Sequence, residues 1–287
     1  MSVYSDEDLS KLQKIELEMM RVVDRFCKEN DIPYFLEGGT AIGAVRHAGF
    51  IPWDDDIDIG IIGSDYDRFI KLFEANPPDG YSIHTRANTE NYPYMFAKVY
   101  CDGTKFLAQE SIDAGLDSCI YLDVFRHDFV SPSLSETEVN KGIARAMFWQ
   151  RMLYLYYTPN PAIQPTASLR SAKAVVSKAA HKIVRSLFDP TGLAERYEAH
   201  LRRLAAGGSK EESKLTAGGQ DGVAIPAGYL YPCDSVLAFE GESFSGPHDV
   251  DGYLACLYGD YMSLPPEEKR KTHAPVVLDF GNRQPGH

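Results

Sequence analysis

Residues 37–60, EGGTAIGAVRHAGFIPWDDDIDIG, constrain the chain most, because a glycine pair is followed by aspartates that alternate with isoleucines. Successive side chains of a strand point to opposite faces, so over residues 56–62 Asp56 and Asp58 project together while Ile57, Ile59 and Ile61 enter a core. At about 3.3 Å of rise per residue the two carboxylates stand roughly 6.5 Å apart along one edge. Their repulsion would raise one pKa unless a cation sat between them. Mg²⁺, with Mn²⁺ as its substitute, is the natural occupant, since carboxylate oxygens and water suit a hard divalent ion. Gly60, on the same face, is expected to leave room for a ligand. The blander reading is a solvated turn at Asp54, Asp55 and Asp56. It is weakened by the isoleucines, which draw Asp58 to the core rim, where an unpaired carboxylate is costly. A calcium loop is excluded, because counting from Asp54 puts Ile59 at the glycine position and Asp65 at the glutamate position.

Gly38, Gly39 and Thr40 lie between a predicted strand at 32–36 and a predicted helix at 40–47. Backbone N–H groups at such a helix start suit a phosphate. Arg46 could reach the same phosphate or make a surface salt bridge; both readings stand. Hydrophobic residues make up 44% of the chain and charged residues 24%, which is enough to build a core. The formal charge of −12 disfavours nucleic acid as a partner. Five cysteines without a C-x-x-C pair argue for a reducing cytosol rather than a disulfide framework. No apolar run reaches about 18 residues, so neither a transmembrane segment nor a signal peptide is expected.

Ser5 and the acids after it start a helix that Leu9, Leu12, Leu17, Met20, Val23 and Phe26 continue towards Asn30. Strands are predicted at 81–85, 94–100, 105–109 and 120–125, with Asp102-Gly103 as a hairpin turn. This gives an α/β core over 30–130, a helical segment at 135–207, and a C-terminal region at 208–287 packed on the core, with one helix near 250–258. Lys173, Lys178, Lys182 and Arg185 form a basic strip, with Ala172, Val176, Ala179, Ile183 and Leu187 on the other side of the helix. A core helix with a solvated face is the preferred reading. Contact with an anionic membrane or a phosphate-bearing glycan is the alternative. Cys233, His248, Cys256 and His273 lack zinc-like spacing.

A strand ending in Gly-Gly-Thr, a short helix and an Asp-x-Asp strand together resemble the nucleotidyltransferase superfamily. More closely, GGTAIGAVRHAGFIPWDDDIDIG is similar to the signature of the LicD family, the phosphocholine transferases that include relatives of the fukutins. YMFAKVY around Lys98, IYLDVFRHD around Asp123 and LYGDYMSLPPEEKR near the C-terminus extend the resemblance over most of the chain.

The resemblance implies an α/β (α+β) fold, a nucleotidyltransferase-like mixed sheet with an added helical segment and C-terminal region. It also implies Mg²⁺-dependent transfer of phosphocholine from CDP-choline to a hydroxyl of a cell-surface glycan precursor, of lipopolysaccharide or teichoic acid type. The setting implied is cytoplasmic, at the inner face of the membrane. Asp56 and Asp58 match the metal pair, and Asp123 the third carboxylate, which would hold a second metal or take the acceptor's proton. Gly38, Gly39, Thr40, Arg46 and Lys98 would hold donor phosphates, although a solvated strand lysine is the other reading of Lys98. Choline calls for an aromatic cage, for which Trp53, Tyr94 and Tyr231 are candidates. FRHD stands where the family's pattern is FPLD-like, and Ala41-Ile42 where it is Leu-Leu-like. The rival readings are transfer of ribitol or glycerol phosphate, a non-catalytic sugar-phosphate or nucleotide binding module, and nucleotidyl transfer.

Overall fold

Where the sequence places a hydroxyl cap before three acids, the Ser5 side chain accepts a hydrogen bond from the Asp8 amide and starts α1 (Asp6–Glu29). Leu12, Ile15, Met19, Met20, Val23 and Phe26 form its buried stripe, and Asn30 caps its end. One residue breaks the stripe's chemistry: Glu16 is 1% exposed. This computed structural model describes residues 4–159, 167–219, 222–270 and 272–283, excepting the side chains of 167–175 and 269.

The chain continues through β1 (Phe35–Leu36), α2 (Gly38–His47), β2 (Asp58–Ile62), α3 (Ser64–Ala75), β3 (Tyr81–His84), β4 (Ala97–Cys101), β5 (Lys105–Leu107), α4 (Gln109–Ala114) and β6 (Ile120–Phe129). Three long helices follow, α5 (Glu136–Tyr157), α6 (Ala167–Leu187) and α7 (Pro190–Ala205). The remainder comprises β7 (Leu215–Gly218), β8 (Ala224–Pro226), α8 (Ala227–Leu230), β9 (Ser235–Phe239), β10 (Glu242–Gly246), α9 (Val250–Tyr258) and β11 (Val277–Asp279). The main sheet runs β1-β2-β6-β4-β3, with β7 joining the end of β6 and β8 joining β7. Strands β2 and β6 are parallel, and their neighbours antiparallel, so the α/β class and the mixed sheet are as expected.

Ile57, Ile59, Ile61, Leu122 and Val124 are fully buried, so the apolar half of each alternating strand does enter the core. Asp56 lies in extended chain before β2, which begins at Asp58 rather than at Asp56. Asp102-Gly103 is a turn but not a hairpin. It ends β4, and β5 leaves the sheet to pair with β11 instead. The C-terminal region does more than pack on the core, since β7 and β8 extend the main sheet itself. In α6 the basic side is solvated as expected, but the apolar side does not meet the core: Val184 is buried, whereas Val176, Ile183 and Leu187 are exposed. The side chains of Ala172 and Lys173 lie outside the described residues.

Candidate active site

The register of three adjacent strands fixes the central geometry. Asp123 on β6 is opposite Asp58 on β2 and opposite Lys98 on β4. Strands about 4.8 Å apart therefore carry one row, Asp58–Asp123–Lys98, on the face away from the isoleucines. Lys98 Nζ donates to Asp123 Oδ1 at 2.6 Å, with both side chains almost wholly buried. The same ammonium lies 3.3 Å from the Tyr121 ring centre, with Tyr94 and Phe96 at 4.7 and 5.2 Å. Burial pushes the Asp123 carboxyl up to about 6 despite the lysine. Its value thus falls near the range a general base needs. Lys98 is not solvated: its ammonium is paired to Asp123 and lies against the rings.

Thr40 Oγ1 accepts a hydrogen bond from the Asp58 amide at 2.9 Å, pinning the start of β2 to α2. Asp58 Oδ1 is buried without a hydrogen-bond partner among the described residues. Burial, and then the charges of Asp56 and Asp123, hold the Asp58 carboxyl well above the usual carboxylate range.

The acidic turn before β2 is tied down from both ends of the chain. Asp55 accepts from the Tyr4 hydroxyl at 2.7 Å and from the His273 amide at 2.8 and 2.9 Å. His273 Nδ1 stands 3.4 Å from Asp55 Oδ1 and 3.1 Å from Asp56 Oδ2. Hydrogen bonds to Asp55 and then Asp56 push this imidazole up to about 11, although its side chain is half exposed. Burial opposes the charge on Asp56, but the hydrogen bond from His273 keeps its carboxyl below the ordinary value. Asp54 shares a hydrogen bond with Asp56 and is raised by burial and by that neighbour's charge. Glu16 from α1 is raised too, by burial first and then by Asp56, Asp55 and Asp54.

The glycine turn sits against these acids. Gly38, the first residue of α2, adopts φ +55, and its amide donates to the Tyr253 hydroxyl at 3.1 Å. The Gly39 and Thr40 amides lie in the helix's first turn, where the ladder offers no acceptor. A Cβ at Gly39 would come within 3.1 Å of Asp54 Oδ2. Arg46 lies at the opposite end of α2, donating to His47 Nε2 at 3.0 Å and to the Tyr261 carbonyl at 2.8 Å. It fastens the 261–263 segment.

The three candidate cage aromatics go separate ways. Trp53 is covered by the Arg270 guanidinium at 4.3 Å, Tyr231 meets the Phe129 ring edge-on at 5.7 Å, and only Tyr94 reaches the Lys98 row. Gly60 also has a different purpose from the expected one. A Cβ there would overlap Phe35 and Glu37 Oε2, so the glycine admits those side chains. Glu37 in turn meets His127 Nε2 at 3.0 Å in a fully buried pair farther along the row's face.

Sequence reasoning gave no role to Glu37, His127, Glu16 or His273. Two of these carried a signal. Glu16 falls inside an apolar helical stripe, and His127 is part of the departure FRHD. His273 had none, because it reaches Asp55 across 218 positions of sequence.

The donors around Asp56 and Asp58 are hard oxygens. Glu16, Asp54, Asp55, Asp56, Asp58 and Asp123 crowd together, and Lys98 and His273 are the cations paired to them. Asp55, Asp56 and His273 present ligand atoms within 4.8 Å of one another. With the orphaned Asp58 oxygen beside them, these residues fit a divalent cation, which would relieve the crowding.

Residues 31–128 match the family described as LicD/FKTN/FKRP, nucleotidyltransferase domain. The lipopolysaccharide cholinephosphotransferase LicD of Haemophilus influenzae is 28% identical over 270 residues, covering 91% of this chain and 95% of that protein. Mouse ribitol-5-phosphate transferase FKTN is 32% identical over 73 residues, 25% of this chain and 16% of its own length. Human ribitol 5-phosphate transferase FKRP is 46% identical over 44 residues, 15% of this chain and 9% of its own.

Proposed function

We propose that this chain, whose residues 31–128 match the LicD/FKTN/FKRP nucleotidyltransferase domain, transfers a phospho-alcohol, phosphocholine from CDP-choline, to a hydroxyl of a glycan precursor. The observation that carries this is the Asp58–Asp123–Lys98 row, with one Asp58 oxygen unpartnered among the described residues and the Asp58 amide bonded to Thr40 in the first turn of α2. Asp56 and Asp58 are the residues that would hold Mg²⁺, which when bound would neutralise phosphate charge and polarise the phosphorus centre. The Gly39 and Thr40 amides receive the donor's phosphate oxygens at the positive end of α2. An acceptor hydroxyl attacks phosphorus in line: its oxygen forms the new P–O bond as the P–O bond to CMP breaks.

Asp123 takes the proton from that hydroxyl. Its value of about 6 leaves it mostly ionised at neutral pH yet basic enough to be useful. Lys98 is then a positioning residue, and holds Asp123 ionised and correctly turned. Of Trp53, Tyr94 and Tyr231, Tyr94 is the candidate nearest the row, its ring centre 4.7 Å from Lys98 Nζ. Free cysteines throughout the described chain suit a reducing compartment, so we place the reaction on the cytoplasmic side.

The test is product analysis. Protein incubated with Mg²⁺ and a lipid-linked glycan should release CMP from CDP-choline. Faster release from CDP-ribitol or CDP-glycerol would move the assignment to those alcohols. Pyrophosphate release from a nucleoside triphosphate, or donor binding without turnover on any acceptor, would overturn it.

A further inference from the structure

Over its described side chains, residues 176–187, helix α6 is held to the rest of the protein by one narrow face. Ser177 Oγ donates to the Pro159 carbonyl at 2.6 Å, and His181 Nδ1 lies 2.8 Å from the Leu155 carbonyl. Val184, one turn further on, is buried, and Phe188 beyond the helix meets Trp149 at 6.1 Å. These positions recur every three or four residues and so share a side of the helix.

The remaining circumference carries two kinds of surface. Val176, Ile183 and Leu187 are 67%, 57% and 69% exposed, and with exposed Ala179 they recur at helical spacing as one apolar stripe. Lys178, Lys182 and Arg185 lie further round the helix, all exposed, with the Arg185 guanidinium 5.5 Å from the Tyr156 ring. No acid occurs from Ala167 to Leu187, although acids account for 41 of the 287 residues.

We infer that this face of α6 is a peripheral docking surface for an anionic lipid bilayer. An apolar stripe alone would fit another protein, and a basic strip alone an acidic one. A helix lying in a membrane interface uses both at once, its apolar side chains entering the acyl boundary while lysines stay among anionic headgroups. Residues 176–187 span about 16 Å of helix, and three large apolar side chains fall far short of the roughly 800 Å² per partner that a stable protein interface buries. The charge pattern selects the same occupant. Most of this acidic molecule is repelled by an anionic membrane, so a strip free of acids fixes which side approaches. The inference stands on this helix's own surface and does not depend on the transfer reaction.

Vesicle flotation of the full chain tests it, using phosphatidylcholine vesicles with and without phosphatidylglycerol. The chain should float with the anionic vesicles, less so at high salt, and not with neutral ones. Replacing Ile183 and Leu187 by serine should weaken partitioning by at least about tenfold, from the apolar surface withdrawn. Lys178→Ala and Lys182→Ala should each cost about fivefold. Unchanged thermal melting of the variants would show that the fold is intact. Failure of the wild type to bind anionic vesicles, or equal binding by the serine variant, would overturn the inference. So would a lipid-free dimer that dissociates in the serine variant, since a second copy would then cover the face.

Discussion

The two faces of the same three strands contrast sharply. On one, Ile57, Ile59, Leu122, Val124 and Val99 are packed out of contact with water. On the other, Asp58, Asp123 and Lys98 are almost as deeply buried but carry charge. Apolar side chains gain from burial at every position, whereas a buried charge gains only through its partner. The core face is therefore tolerant of what it packs against, while the charged face is held by particular pairs: Lys98 to Asp123, Thr40 to the Asp58 amide, His273 to Asp56. The difference teaches that one set of alternating residues is held by apolar packing and the other by specific charge pairs, which is where the proposed chemistry is placed.

The largest effect should come from breaking the pair. Lys98→Met leaves Asp123 buried with no cation, costing about 3–5 kcal/mol where the carboxyl must ionise. Because Asp123 already sits at about 6 with its lysine, losing the lysine should drive it higher. The variant should accordingly be least stable at alkaline pH and recover towards acid pH, with its turnover profile displaced to higher pH. Denaturant titrations at several pH values check the first part. A pH-independent loss would mean that Lys98 contributes packing rather than charge.

A core-face truncation should cost about as much at most, but act differently. Ile59→Ala removes a fully buried side chain from the opposite face of β2 and should destabilise by about 2–5 kcal/mol at every pH. Turnover per folded molecule should stay within a few-fold of wild type, measured well below the variant's melting point. A pH-dependent stability change there would blur the division between the faces.

The smallest effect concerns His273. Its value is raised from about 6.5 to about 11, so its contribution is complete below the lower figure and fades as pH rises through the higher one. Half exposure limits the contribution to about 1 kcal/mol or less. His273→Gln should therefore lie below wild type in stability at mildly acidic pH, with the gap closing towards pH 11. A constant gap would assign the histidine a purely steric part.

How much of this was legible in the sequence follows the range of the interactions. The alternation in DIDIG announced both faces of β2, and the Ser5 cap and apolar stripe announced α1. Ile120, Leu122 and Val124 likewise placed Asp123 on the polar face of β6. The partners that tune these acids were hidden, since Tyr4, Glu16 and His273 reach the turn from opposite ends of the chain. Strand partners were hidden as well. A turn at Asp102-Gly103 reads as a hairpin locally, but pairing with β11 is decided some 170 residues away by what else the edge can bond. In α6 the periodicity located an apolar stripe and assigned it to the core, which the structure does not bear out. The hydrogen bonds of Ser177 and His181 turn that stripe outward.

The central claim is that the charged face is built to hold a divalent cation at Asp56 and Asp58. Isothermal titration of the protein with Mg²⁺ in buffers of different ionisation enthalpy tests it without any substrate. One site should appear, with protons released, because the Asp58 carboxyl is held raised until a cation is bound. Asp58→Asn should abolish it while melting no lower than wild type. Binding that survives Asp58→Asn, or no binding by the intact protein, would contradict the account.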